Sequence, residues 1–114
     1  MIMAYSIIVS LGKRRLYLLD NNIVIQSYPV GIGTILNKTP SGRFWIINKV
    51  PNPGGPYGSM WMGLNKPHYG IHGTNDPGSI GRQVSKGCIR MYNAEVLHLS
   101  RVVSIGTRVI IRPN

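Results

Sequence analysis

The chain has 114 residues, 43% of them hydrophobic, and sets thirteen Lys and Arg against three Asp and Glu, a formal charge of +10. That length suits one domain over residues 1–114, large enough to bury about two-thirds of the surface its unfolded chain would expose. One cysteine excludes an intramolecular disulfide, no apolar run approaches the roughly twenty residues that span a bilayer, and 14 Gly with 8 Pro point to turns and mainly β structure.

Residues 4–11, AYSIIVSL, are rich in β-branched and aromatic types and end at Gly12-Lys13, which reads as a strand and a turn. Arg15–Leu19 and Ile23–Tyr28 flank Asp20-Asn21-Asn22, residue types that tolerate the left-handed backbone of a tight hairpin. Pro29, Gly31 and Gly33 break the run, and Lys38–Gly42 form a loop. Arg43–Val50 is the next strand, with Phe44, Ile46 and Asn48 expected on one face and Trp45, Ile47 and Lys49 on the other. PNPGGPYG, residues 51–58, holds three prolines and three glycines and forms a flap or rim loop.

Ser59–Asn65 and Tyr69–Gly73 read as strands, and residues 75–86 as a long excursion, a length that in a small domain usually marks function. Ala94–Val102 is the one good helix. Asn93 is expected to cap it, Glu95 and Arg101 complement its dipole, and Val96, Leu97, Leu99 and Val103 form its apolar side. Arg108–Arg112 is the last strand.

The chemistry concentrates in residues 71–91, IHGTNDPGSIGRQVSKGCIRM, which hold the single Cys88 and a histidine, His72, that can take its proton. Cys88 would open a strand, CIRMY, whose alternation puts Cys88 and Arg90 on one face and Ile89 and Met91 on the other. Backbone N–H groups at Gly87 and Cys88 are natural oxyanion donors, so acyl transfer is the implied chemistry. No acidic residue is placed to orient His72, so a backbone carbonyl is its expected partner. His68, four residues before His72 on the same predicted strand, would share its face and could line the pocket; His98, on the helix, reads as structural.

HGT followed by a loop and SKGCIRM closely resembles the catalytic signature of the L,D-transpeptidases, the YkuD-like enzymes of bacterial peptidoglycan. VGIGTILNKTPSGRFWI matches that family's T-P-x-G-x-[FW] segment, so the resemblance covers nearly the whole chain. It implies a β-sandwich or open barrel of mixed strands with one short helix near the C-terminus. It also implies no cofactor, and catalysis by Cys88 and His72 with Gly87 and Ser85 shaping the loop and oxyanion site. Arg90, His68, Gly73, Tyr69 and Trp61 would bind substrate. Many members carry a second histidine where this chain has Lys86, a change that touches secondary contacts more than the reaction.

The implied reaction joins peptidoglycan stem peptides by 3→3 cross-links through a Cys88 thioester with loss of D-alanine; trimming by water is the alternative. The positive field suits anionic wall polymers. The basic residues are scattered singly apart from Lys13-Arg14-Arg15, with neither zinc-finger spacing nor an aromatic RNA-binding strand, so no nucleic acid is expected. In MIMAYSIIVSLGKRR the positive charges follow the apolar run and no small-residue cleavage site is evident, so it does not read as a signal peptide. A wall or spore location is nevertheless the expectation. Rival readings are a non-catalytic wall-binding module and a zinc site of His68, His72 and Cys88 with Asp76, which lacks a second cysteine or an HExxH pattern.

Overall fold

Alternation in β1 (Tyr5–Ser10) and β2 (Arg15–Asp20) sends Ile7, Val9, Leu16 and Leu18 to one side, where each is at most 1% exposed. The computed structural model describes residues 4–114; Met1–Met3, the start of the N-terminal apolar run, lie outside the described residues. Asn21 and Asn22 both take positive φ, 50° and 66°, giving the two-residue turn that leads into β3 (Ile23–Pro29). A short β4 (Ile32–Gly33) and the long β5 (Gly42–Pro51) follow. The PNPGGPYG loop contains one turn of 3-10 helix, Gly55–Tyr57.

Next come β6 (Met60–Leu64), β7 (Gly70–His72), β8 (Gln83–Ser85), β9 (Ile89–Arg90), the helix α1 (Asn93–Val102) and β10 (Arg108–Arg112). The main sheet has eight strands in the order β3-β2-β1-β10-β5-β6-β7-β9, and β4 pairs with β8 in a second sheet. Its pairings are mixed: β1–β10 and β7–β9 are parallel, the others antiparallel. The sheet curls into a half-barrel, so the expected open barrel of mixed strands with one short helix is borne out.

Two local expectations are corrected. The β5 register shifts between Ile46 and Asn48, a bulge that moves Asn48 off the face shared by Phe44 and Ile46. Lys49 turns inward instead, and its Nζ donates to the Ser100 carbonyl at 2.6 Å and to that of Val103, two carbonyls at the C-terminal end of α1 that lack helical partners. Asn93 makes no capping hydrogen bond; Tyr92 occupies the N-cap position and the Asn93 side chain points elsewhere.

Val96, Leu99 and Val103 pack into the core with Met60, Met62, Ile71, Ile89 and Met91. Each buried side chain of this size contributes on the order of 2 kcal/mol, which fixes the helix behind the strands that carry His72 and Cys88. The 75–86 excursion is anchored rather than free: Gly81 N–H donates to Val30 O, Ile32 N–H to Arg82 O, and β8 runs parallel to β4.

Candidate active site

Parallel pairing of β7 with β9 aligns Ile71 with Ile89 and His72 with Arg90. Ile71, Ile89 and Met91 are at most 1% exposed on the core side, whereas Cys88 and Arg90 are half-buried on the other. The expected strand CIRMY is shorter than its sequence suggested: only Ile89 and Arg90 are paired, and Cys88 stands just before them. Cys88, His72, Arg90, Ser85, His68 and Tyr69 line one cleft of about 590 Å³.

His72 is 3% exposed, and its Nδ1–H donates to the Gly73 carbonyl at 2.5 Å. Nε2 is thereby left unprotonated, the form that accepts a proton. The indole of Trp61 stacks on the imidazole, and the ring of Tyr57 meets it edge-on, centroids 5.1 Å apart. Burial between these rings holds the His72 pKa below its usual value; the bond to Gly73 raises it, and the nearby Arg90 cation lowers it again. The resting imidazole is neutral.

The Cys88 turn is built by Ser85, buried at the end of β8, whose Oγ donates to the Cys88 carbonyl at 2.6 Å and accepts from Gly87 N–H at 3.1 Å. That second bond engages one of the two expected oxyanion donors, which leaves Cys88 N–H as the candidate. Gly87 has φ +117°, and a Cβ there would lie 2.5 Å from Tyr69 Cε1, so only glycine fits. The thiol donates to His68 O at 3.4 Å. Burial raises its pKa, while the Gly70 N–H and the Arg90 charge favour the thiolate and pull it down. The net shift is upward, in the direction of the neutral thiol.

His68 lies in the turn before β7 with φ +72°, not on the strand; it lines the cleft by that route. Trp61 and His68, with Tyr57, also line an adjoining hollow of about 390 Å³. Arg90 Nε is buried and has no hydrogen-bond partner among the described residues. Among the described residues no three His, Cys, Asp or Glu side chains converge as metal ligands.

Sequence reasoning missed Tyr57 and the true work of Asn93. The Asn93 Oδ1 accepts from Ser59 N–H at 3.1 Å and Thr74 N–H at 3.0 Å, and its Nδ2 donates to Thr74 O at 2.9 Å. An aromatic inside a Pro/Gly loop beside the site was the available signal for Tyr57; for Asn93, its position soon after CIRM was the only one.

Residues 4–111 match the family of the L,D-transpeptidase catalytic domain, YkuD. Over 94% of this chain the sequence is 56% identical to YkuD of Bacillus subtilis (strain 168), and the match covers 65% of that protein. A Bacillus licheniformis counterpart is 54% identical over 96% of the chain and 66% of its own length, so the chain spans just under two-thirds of these curated relatives. In fold, it resembles the catalytic domain of the E. faecium L,D-transpeptidase, with a TM-score of 0.82 at 24% identity over 95% of this chain and 96% of that one. With Cys88 and His72 on one cleft, the chain belongs to the L,D-transpeptidase catalytic domain family.

Proposed function

We propose that this chain forms 3→3 cross-links between peptidoglycan stem peptides through a Cys88 thioester. The observation that carries this reading is the parallel β7–β9 pairing, which delivers a half-buried thiol and a neutral, Nδ1-anchored imidazole to one cleft. The Cys88 S–H proton passes to His72 Nε2 as sulfur attacks the carbonyl of the third stem residue. The oxyanion accepts from Cys88 N–H, a contact of the kind that contributes about 3 kcal/mol to catalysis.

Collapse of the tetrahedral adduct expels D-alanine, whose nitrogen takes the proton from the imidazolium, and leaves the thioester. The side-chain amine of a second stem then attacks, giving its proton to His72, and Cys88 regains its own as thiol. Water in place of the amine gives carboxypeptidase trimming. Arg90, a cation on the wall of the cleft, binds a substrate carboxylate. Ser85 and Gly87 hold the nucleophile turn, and His68, Tyr69, Gly73 and Trp61 shape the walls.

The reading places the enzyme at the wall or on the spore, outside the cytoplasmic membrane, where a charge of +10 draws it to anionic polymers. A structurally similar L,D-transpeptidase (TM-score 0.82, 18% identity over 96% of this chain and 59% of that one) is in complex with imipenem, and carbapenems are expected to acylate Cys88 here. Product analysis by mass spectrometry tests the reading: tetrapeptide muropeptides should yield dimers joined between third residues. Tripeptides alone would establish trimming instead, and unchanged substrate would reject both.

A further inference from the structure

The geometry assigns Asn93 to the active site as the positioning residue that holds His72 in its proton-accepting tautomer. One peptide group, Gly73–Thr74, makes the link. Its carbonyl accepts from His72 Nδ1–H at 2.5 Å, and its N–H donates to Asn93 Oδ1 at 3.0 Å. Asn93 Nδ2 closes the clamp on Thr74 O at 2.9 Å, so the peptide cannot rotate without breaking both contacts. Hydrogen bonds in such a chain polarise one another, so the amide oxygen makes the Gly73 carbonyl a stronger acceptor when imidazolium forms.

This is the work that a carboxylate does in a Ser-His-Asp triad, and no carboxylate lines this cleft. The same Oδ1 also takes Ser59 N–H, tying down the end of the loop that lays Tyr57 edge-on to His72. Space for the amide is reserved by two glycines: a Cβ at Gly58 or Gly73 would sit 2.1 Å from Oδ1. Tyr57 and Trp61 pack on the His72 ring from the flap and β6, Arg90 acts on it from β9, and Cys88, Lys86, His68 and Tyr69 are the other titratable groups on its cleft.

The assignment rests on His72 being the base, and its test needs no substrate, so it stands or falls separately from the cross-linking reaction. The full chain, labelled with 15N, is titrated from pH 8 to pH 4 by NMR. The neutral imidazole should be the Nδ1–H tautomer, and the Thr74 amide and Asn93 side-chain amide should shift with the His72 midpoint. In Asn93→Asp, a carboxylate at the far end of the chain should raise that midpoint by about half a unit, less than a directly adjacent carboxylate would. A Thr74 amide indifferent to His72, an Nε2–H tautomer, or an unmoved midpoint in Asn93→Asp would each overturn the assignment. The wild-type titration decides the matter even where the variant does not fold.

Discussion

The indole of Trp61 lies nearly parallel to the imidazole of His72, the ring centroids 5.6 Å apart and the planes 18° from coplanar. That contact supplies much of the dry surface that disfavours imidazolium. Trp61→Ala should admit water, move the His72 pKa upward toward 6.5, and shift the acid limb of the activity profile the same way. An NMR titration of the His72 ring protons checks it; an unmoved midpoint would return the cause to other walls of the cleft.

The same burial links His72 to stability. Its pKa is lower in the folded chain than in the unfolded one, so the unfolded chain binds the proton first as pH falls. The contribution is complete above about 6.5 and shrinks as pH drops below that value. Thermal unfolding should therefore show a Tm that declines from pH 7 to pH 5 more steeply in wild type than in His72→Asn. Parallel declines would refute it.

Arg90 acts on His72 and Cys88 with one sign. Its charge disfavours imidazolium and favours thiolate, so it lowers both pKa values. Arg90→Gln should move the acid and alkaline limbs of the pH–rate profile upward together, and raise KM where a substrate carboxylate is bound. A profile that keeps its limbs would place Arg90 outside the electrostatics of the site.

Gly87→Ala forces a side chain into φ +117° and onto Tyr69. Strain of this kind costs about 1–3 kcal/mol. A Tm several degrees lower, measured by calorimetry, and a larger loss of turnover than of folded protein are expected, because the Ser85–Cys88 turn is what moves. Unchanged Tm would show that the turn relaxes freely.

Much of this was legible because strand chemistry is periodic. Cys88 and Arg90 share a face, opposite Ile89 and Met91, for no reason beyond alternation, and the asparagine pair in the first hairpin announced its turn. What escaped was tertiary. The bulge at Ile46–Asn48 changes phase within a well-patterned strand, and nothing local forces it. His68 reaches the cleft from a turn with φ +72°, a backbone conformation uncommon outside glycine that strand patterning does not announce. Asn93 has the look of a helix cap; its side chain instead meets Ser59 and Thr74, neighbours that only the fold brings close. That burial pushes the thiol pKa up and the imidazole pKa down could not be read from composition.

The central claim is that Cys88 carries the acyl group. Intact-protein mass spectrometry of the wild-type chain and of Cys88→Ala, quenched in acid after brief exposure to a tetrapeptide stem without an acceptor, tests it most directly. The account predicts an adduct on the wild type equal to the stem less D-alanine, mapped by digestion to Cys88 and absent from the variant. An adduct that survives in Cys88→Ala, or D-alanine release by that variant at the wild-type rate, would contradict it.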